Sequence, residues 1–434
     1  MKGGSTNGMG AGEQADRFTF DPAREGFDPS APGVMDDPYP YYAVLRERDP
    51  VHHNGRLGMY FLSRYDDVLA AARDHTRFVR GQQSRYYDDF GPAARILVGD
   101  SLFTKDPPHH GRLKGVIGRA FTRTRVDALR PRIEELCRGL LDELDPRPGG
   151  SRFDLVRALS QPLPFLVICE ILGIPTDDRD DFQRWSADVV PIIDPFPRPA
   201  VKARGEAACT AMVDYLMLLL YDRRRMLRAG ARPPGLLTSL VELAEGGEQI
   251  SSSELIMLCG TLVIAGIETV TNLICCTVRA LLEHPIQLEA LRLHPELYAN
   301  LADEALRYYP TGQYTPRETA ENVVLSGTSI PSGSRVVLLR GSANRDGRRF
   351  ANPDEFDLRR PNIADHLGFG DGPTFCIGAG LARIEVQVAI RQLLERLTPV
   401  RITRWVQRPS KLIWGPGEVE LEYACTGLYR SVRT

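Results

Sequence analysis

The chain has 434 residues, of which 43% are hydrophobic and 25% are charged, and its formal net charge at pH 7 is −2. These are ordinary globular values, with enough apolar material for a large core. The small net charge argues against nucleic acid or an anionic membrane surface as a partner, because either usually requires a basic excess. Small molecules or proteins are therefore the expected partners.

Residues 1–17 are polar and rich in glycine, and they lack the apolar core of a signal peptide. They predict a flexible tail ahead of a single large domain at residues 18–434. The eight cysteines of the chain include no C-x-x-C pair, which is typical of a reducing compartment. We therefore expect a cytoplasmic protein.

The first predicted strands lie at residues 50–63, PVHHNGRLGMYFLS, where Asn54-Gly55 separates two short β-like runs. An Asn-Gly pair in this setting predicts a β-hairpin. From residue 104 to residue 310 apolar side chains recur at helical spacing, which predicts a body made mostly of helices. The expected fold class is mainly α with a smaller β region (α+β).

The stretch from Leu255 to Val278 is the longest one that is poor in charge, and it is long enough to cross a membrane. Glu268 in its middle favours a buried core helix and no membrane, because an unpaired carboxylate in hydrocarbon is costly. Ser251 and Glu254 form an S-x-x-E capping box just before the apolar run. This helix, the central helix below, is therefore expected to begin near residue 252.

Beyond the central helix, two shorter helices are expected on either side of His294-Pro295, followed by a β-hairpin in residues 322–340. Residues 341–380 contain many Gly, Pro, Asn and Asp residues and almost no periodicity. A loop of this length in a compact domain is usually functional. Helical spacing returns at GAGLARIEVQVAIRQLLERL, so Cys376 is expected just before a helix.

Cys376 lies in the glycine-rich sequence GFGDGPTFCIGAG, residues 368–380. Glycines let another group approach the backbone, and a helix N-terminus favours a thiolate. Most cysteines are buried and inert, and the other seven are expected to be so. A nucleophile would need a nearby histidine base and a zinc site would need clustered ligands, and no motif supplies either. A single axial thiolate to a haem iron needs only one protein ligand.

The pattern F-x-x-G-x-x-x-C-x-G, from Phe369 to Gly378, resembles the haem-binding loop of the cytochrome P450 family. The resemblance covers nearly the whole chain from about residue 35 and is closest to soluble bacterial members. It implies the cytochrome P450 fold, with haem b (iron protoporphyrin IX) between the central helix and the helix after Cys376. It also implies that Cys376 is the metal ligand and that four residues lie against the haem, namely Phe369, Gly370, Gly378 and Ala265.

A second match is on the central helix, where AGIETVT at residues 265–271 resembles the oxygen-binding segment of the family. It implies that Glu268 and Thr269 are catalytic, with Thr269 holding oxygen-bound water and Glu268 relaying protons. Burial favours a neutral carboxylic acid, which suits proton delivery. Without the motif, a buried threonine would be expected to donate a hydrogen bond within its own helix.

A third match is Glu304 and Arg307, an E-x-x-R pair that stands on one face of a predicted helix. Such pairs are common on solvated helices and contribute little there. In the family the pair is buried and joined by an arginine at the position of Arg360. The resemblance therefore implies a network that stabilises the fold.

A fourth match, DPPHHGRLKGVIGRAFT at residues 106–122, resembles the helix that holds the haem propionates. It implies that His110 and Lys114 bind the propionates, and Arg317 matches another propionate-binding position. Relatives usually have arginine where this chain has Lys114, and histidine where it has Thr374. One propionate contact is therefore expected to be altered.

The same segment and the residues after it carry a run of basic side chains without an acidic one: Arg112, Lys114, Arg119, Arg123 and Arg125. One interpretation is a solvated helical face. The other follows from the family, in which a basic surface on the cysteine side of the haem receives the electron donor. The resemblance implies a monomer that takes electrons from an external ferredoxin or flavoprotein.

The activity implied by the resemblance is a monooxygenase that inserts one oxygen atom into a bulky organic small molecule, such as a polyketide or peptide intermediate of natural-product biosynthesis. Two alternatives stay open: a peroxide-driven oxygenase of the same fold, and a non-catalytic haem- or carrier-binding module. Residues 84–97 are expected near the substrate, and residues 189–201 are expected in a lid. Both segments fit ordinary loops equally well.

Overall fold

The computed structural model describes residues 19–80, 87–144, 151–194, 199–246, 250–408, 410 and 412–425. Helices dominate these ranges and form a single domain with smaller sheets, which confirms the expected mainly α class. The tail predicted at residues 1–17 lies outside the described residues. The segments 84–97 and 189–201 are described only in part.

The helices of the described ranges include one of 32 residues and many shorter ones. In chain order the α-helices are α1 (Pro22–Glu25), α2 (Pro32–Asp36), α3 (Tyr39–Arg48), α4 (Tyr65–Arg73), α5 (Pro92–Ala94), α6 (His109–Gly118), α7 (Arg123–Ala128), α8 (Arg130–Asp142), α9 (Pro162–Leu172), α10 (Arg179–Ile193), α11 (Pro199–Arg228), α12 (Leu236–Glu245), α13 (Ser252–Glu283), α14 (Pro285–Leu293), α15 (Tyr298–Tyr308), α16 (Arg340–Ala343) and α17 (Ala379–Arg396).

Ten strands form three sheets in the same ranges. They are β1 (Val51–Asn54), β2 (Met59–Leu62), β3 (Phe78–Val79), β4 (Ser151–Asp154), β5 (Thr315–Thr319), β6 (Val323–Leu325), β7 (Thr328–Ile330), β8 (Arg335–Leu338), β9 (Leu397–Gln407) and β10 (Pro416–Cys425). The strand orders are β1-β2-β8-β5-β3, β4-β10-β9 and β6-β7.

The predicted N-terminal hairpin is confirmed, because β1 and β2 pair antiparallel with Asn54 opposite Met59. The hairpin predicted at residues 322–340 is confirmed only for β6 and β7, whose turn has positive φ at Ser326 and Gly327. Strand β8 instead pairs parallel with β2 and antiparallel with β5. Parallel pairing joins segments that are far apart in the sequence, so local turn signals did not reveal it.

The central helix is α13, and it begins at Ser252 as the capping box predicts. The Ser251 hydroxyl accepts a hydrogen bond from the Glu254 N–H, and the Glu254 carboxylate accepts one from the Ser251 N–H. The helix is long and apolar enough to cross a membrane, but 83% of its most apolar window is buried inside the protein. It is therefore a core helix, as expected.

The E-x-x-R network lies in the core next to this helix. The guanidinium of Arg307 makes two 2.8 Å hydrogen bonds to the Glu304 carboxylate, and Arg360 Nε lies 3.3 Å from the same group. Both Glu304 and Arg307 are fully buried. The arginines also donate to backbone carbonyls of residues 344–355, so the network holds the long loop against α15.

Six cysteines other than Cys376 are described with their side chains, and all six are buried and free. Burial raises the pKa of five of these thiols to about 12 and raises that of Cys276 as well. A thiol with a raised pKa stays protonated and unreactive at neutral pH. The prediction that these cysteines are structural is thereby confirmed for the described side chains.

Candidate functional site

The loop before Cys376 makes a tight backbone turn, and Cys376 lies three residues before the first residue of α17. The Cys376 N–H donates to the Phe369 carbonyl over 2.9 Å. Gly370 and Gly372 between them have φ of +75° and +62°, a conformation that side chains disfavour. The glycines of the motif are therefore needed for the turn that presents the sulfur.

Cys376 differs from the other described cysteines because its side chain is accessible. Surrounding protein atoms still raise the pKa of its thiol, which is the behaviour of a sulfur at the bottom of a cleft. The Gly378 N–H and the cations of Lys114, Arg340 and Arg383 act in the opposite direction and favour the thiolate. The site thus supplies one accessible sulfur with several groups that stabilise its negative charge.

Phe369 is buried, and its ring is held by charged neighbours. The Arg383 guanidinium lies 4.7 Å from the ring centroid, and Asp303 binds that guanidinium over 2.7 and 2.8 Å. Asp303 also accepts a 2.8 Å hydrogen bond from His366 Nε2, since His366 Nδ1 accepts from the Gly368 N–H. Burial opposes ionisation of Asp303, but these hydrogen bonds hold its pKa at about 2.

One face of the central helix is open while the rest is covered. Between Leu255 and Val278 every residue is buried except Ala265, Gly266 and Thr269. Positions i and i+4 lie on one side of a helix, so Ala265 and Thr269 are the partly open positions, while Gly266 packs against Ile168 of α9. Ala265 and Thr269, both predicted site residues, therefore share a face.

The Thr269 hydroxyl donates to the Ala265 carbonyl over 2.7 Å, the hydrogen bond expected of a buried threonine. The Glu268 side chain is 2% exposed and forms an ion pair with Arg408, which follows β9. Asn272 Nδ2 lies 3.3 Å from the same carboxylate oxygen, Oε1. Oε2 is buried without a hydrogen-bond partner. A guanidinium stabilises an ionised carboxylate, which opposes the effect of burial expected from the sequence.

A cluster of nitrogen-bearing side chains surrounds a second part of the site. His110 on α6 and Arg317 on β5, both predicted, are buried, and each has a buried nitrogen without a hydrogen-bond partner, as have His75, Arg80 and Arg340. Burial and the nearby cations Arg80 and Lys114 lower the pKa of His110 to about 4. The pKa of Arg317 is also lowered, by burial and by Arg80 and Arg340.

Lys114, which the sequence places among the propionate ligands, contacts the cysteine loop. Its Nζ donates to the carbonyls of Pro373 and Phe375 over 2.9 and 2.7 Å. Thr374 between them donates to the Asp371 carbonyl over 3.3 Å. Lys114 therefore holds the loop directly on either side of the residue that replaces the usual histidine.

The basic residues of α6 and α7 do not form one uniform patch. Arg112 is ion-paired with Glu254, Arg123 lies 3.6 Å from Asp127, and Lys114 is occupied by the loop. Arg119 and Arg125 are exposed. Part of the positive charge predicted at this surface is therefore neutralised locally.

Sequence reasoning missed His75, Arg80, Arg340 and Arg408. These residues belong to no motif, and they reach the site from segments far apart in the chain. Only one signal was available, namely that Glu268 in an uncharged helix required a partner. That signal gives no indication of which arginine supplies it.

A mainly α domain that presents one accessible cysteine in a glycine loop, next to a long buried helix with one open face, is the architecture of a haem-thiolate protein. The chain matches the family described as "Cytochrome P450" over residues 52–297 and 296–411, and it belongs to that family.

Two similar proteins come from bacteria. Cytochrome P450 107B1 of Saccharopolyspora erythraea is 38% identical over 420 residues, which are 94% of this chain and 96% of that protein. "Polyketide biosynthesis cytochrome P450 PksS" of Bacillus subtilis is 32% identical over 389 residues, 87% of this chain and 92% of that protein. The crystal structure of CalO2 is similar with a TM-score of 0.84 and 33% identity, covering 92% of this chain and 98% of that one.

The family carries haem b with a thiolate ligand, and the protein is a monooxygenase that acts on a small molecule with electrons from a redox partner. The residues present fit the cofactor. Buried nitrogens of His110, Arg317 and Arg80 without hydrogen-bond partners suit the two propionate carboxylates. Among the described cysteines Cys376 is the one with an accessible side chain, and Lys114, Arg340 and Arg383 partly offset the burial that raises the pKa of its thiol.

Proposed function

We propose that Cys376 would supply the thiolate ligand of the haem iron and that Phe369, Gly370, Gly378 and Ala265 would lie against the macrocycle. When bound, the haem activates dioxygen, and electron donation by a thiolate favours cleavage of the O–O bond. The observation that carries the assignment is the accessible Cys376 thiol among Lys114, Arg340 and Arg383.

His110 and Arg317 bind the propionates in this proposal, and Lys114 acts both on a propionate and on the cysteine loop. The support is that the two buried side chains have nitrogens without partners and that neighbouring cations lower their pKa. An anion placed between such groups relieves their mutual repulsion.

The decisive measurement is the absorption spectrum of the reduced protein with carbon monoxide. The expected Soret band is the one characteristic of thiolate-ligated haem, and Cys376→Ser is expected to lose it while Cys137→Ser keeps it. A band at the position typical of histidine-ligated haem in the unaltered protein would refute the assignment.

Thr269 and Glu268 have the catalytic roles in this proposal. The Thr269 hydroxyl stands on the open face of the central helix and can hand a proton onward from its oxygen. Glu268 is the residue before Thr269 in the chain. Its carboxylate forms an ion pair with Arg408, whose side chain is 21% exposed. Arg408 therefore lies between the buried carboxylate and the outside of the protein.

We expect Thr269→Val to lower the product formed per electron pair consumed by at least about tenfold, because positioned proton transfer typically contributes more than this. Glu268→Gln should slow electron consumption itself and increase the solvent isotope effect. Thr277→Val is the matched control, because that hydroxyl also donates within the helix but is fully buried. Equal product yield in Thr269→Val and the control would contradict the role.

The proposed substrate is a bulky organic intermediate of natural-product biosynthesis, supported by the description of the relative PksS as a polyketide biosynthesis enzyme. An external ferredoxin or flavoprotein is the proposed electron donor, supported by the exposed Arg119 and Arg125 beside the cysteine side of the site. We also propose a cytoplasmic monomer with one domain at residues 18–434; the support for the location is that α13, the described helix long and apolar enough to cross a membrane, is buried.

A further inference from the structure

Arg340 lies beside the site, directly after strand β8. Its Nη2 donates to the Tyr314 carbonyl over 3.3 Å, and its Nε is buried without a hydrogen-bond partner. A Cβ added to Gly312 would lie 2.5 Å from Nη2, which is closer than atoms can approach. The guanidinium therefore rests on the backbone at Gly312, and a side chain there would displace it.

The backbone at Gly312 lies near a large apolar cluster of the core. Gly312 pairs with Ile413 in an isolated β-bridge. Ile413 packs against the apolar cluster that contains Val263, Ile264 and Ile267 of the central helix. Arg340 thus contacts the backbone of the segment between α15 and β5, whereas Lys114 contacts the cysteine loop.

Among the described residues, the groups that act on Arg340 and its neighbours are mostly positive. Burial lowers the pKa of Arg340 to about 10, and Cys376 is the negative group that counteracts this. The positive charge of Arg340 lowers the pKa of Arg80 and of Arg317. The negative charge of Asp106 acts in the opposite direction and raises the pKa of both arginines. Among the described residues no carboxylate is ion-paired with Arg340.

The haem does not remove this imbalance. Arg80, Lys114, Arg317 and Arg340 supply four fixed positive charges near the site. Asp106 and the two propionates supply three negative charges, and the thiolate charge is shared with the iron. Among these groups, four positive charges therefore face three negative ones.

We propose that Arg340 binds a carboxylate of the substrate, so that the substrate class is a carboxylate-bearing small molecule. This inference rests on the proposed haem-thiolate function and deepens it. A guanidinium presents Nε and Nη donors in a fork that matches the two oxygens of a carboxylate. Nε of Arg340 is free for such a contact, and the removal of water from the site strengthens it.

The test uses probes that bind through the iron and need no knowledge of the natural substrate. ω-Imidazolyl alkanoic acids of increasing chain length and their methyl esters are titrated into the haem-loaded protein, and the spectral shift of iron coordination gives each Kd. Charge-assisted hydrogen bonds contribute enough for about a tenfold or larger preference. We expect the acid to bind about tenfold more tightly than its ester at the chain length that reaches Arg340.

Three variants locate the preference. Arg340→Leu should abolish it, with the preference measured as the ratio of acid to ester Kd within the same variant, so that any change at the iron affects both ligands alike. Arg340→Lys should retain part of it, because lysine keeps the charge but not the fork. Arg359→Leu, which alters an exposed arginine, should retain all of it.

Equal affinity for acid and ester at every chain length in the unaltered protein would overturn the proposal. So would loss of haem from Arg340→Leu with retention in Arg359→Leu, because Arg340 would then be a propionate contact. If instead the proposed haem-thiolate function is wrong, the result is different. No variant would then show a spectral shift with the imidazolyl esters, and none would show the thiolate-type carbon monoxide spectrum.

Discussion

Glu385 shows at the scale of one residue how the core can make stability depend on pH. It lies on α17, is 1% exposed, and its Oε2 is buried without a hydrogen-bond partner. Burial raises the pKa of this carboxyl from 4.5 to about 8. The folded protein therefore keeps Glu385 neutral at a pH at which the unfolded chain has ionised it.

The direction of the pH effect follows from proton linkage. Between pH 4.5 and about 8 the folded state binds the Glu385 proton more tightly than the unfolded state, so its stability falls as the pH rises. We expect Glu385→Gln to remove this slope and to raise the free energy of unfolding near pH 8 by several kcal/mol, on the order of 4. Thermal or urea unfolding at about pH 5 and about pH 8 measures it.

Glu395→Gln is the control on the same helix, because Glu395 is more than half exposed and pairs with Arg391. Its effect should stay below about 1 kcal/mol at either pH. Parallel pH slopes for the unaltered protein and Glu385→Gln would show that Glu385 is not the titrating group.

Lys114 and Thr374 illustrate a second residue-scale point. The sequence marks both as departures from the family pattern. Lys114 bonds the carbonyls on either side of Thr374, and the threonine hydroxyl is used inside the loop. The loop is therefore held by contacts of its own, whatever either residue contributes to a propionate.

At the scale of elements, the E-x-x-R network connects α15 to the long loop that leads to Cys376. Breaking a buried ion pair leaves a buried charge without a partner, which typically costs about 3–5 kcal/mol. We expect Arg307→Leu to lower the free energy of unfolding by this amount, with weakened retention of haem, as measured by urea unfolding and haem content.

Arg391→Leu breaks an exposed pair and should cost less than about 1 kcal/mol. Arg360→Lys should fall between the two variants, because Arg360 lies 3.3 Å from Glu304 and also donates to backbone carbonyls. Similar losses in Arg307→Leu and Arg391→Leu would show that the buried network does not stabilise the fold more than a surface pair.

At the scale of the whole molecule, α10, α11 and the residue after α10 form hydrogen bonds to two other parts of the domain. Tyr87 donates to the Ile193 carbonyl over 3.0 Å, and Glu206 accepts from the Gly91 N–H over 2.7 Å. On the other side Asp194, which is buried, accepts from the Leu412 N–H over 2.8 Å. These contacts hold the helix pair against the rest of the domain.

We expect Asp194→Ala to loosen this attachment of the helix pair and to increase the association and dissociation rates of an imidazole ligand by about tenfold, since a buried hydrogen bond typically contributes about 1 kcal/mol or more. Stopped-flow spectroscopy measures both rates. Asp188→Ala is the control, because Asp188 is a partly exposed residue of α10 whose Arg204 contact is 3.4 Å long. Unchanged rates in Asp194→Ala would show that this contact does not limit access.

The sequence by itself determined the features that depend on neighbouring residues. The capping box at Ser251, the Asn54-Gly55 hairpin and the turn glycines before Cys376 act through hydrogen bonds and φ angles within a few residues. Local chemistry of this kind is visible in any short window. The cysteine loop, the central helix and the E-x-x-R pair were predictable for this reason.

Only the tertiary structure decided which distant groups meet. It paired Glu268 with Arg408, joined β8 to β2 and gathered Arg80, Arg317 and Arg340 beside the site. These contacts depend on how helices and strands pack, and burial then makes each charge require a partner. No local sequence pattern encodes such contacts between distant residues. The set of charges beside the site, on which the proposed carboxylate substrate rests, could therefore be described only from the fold.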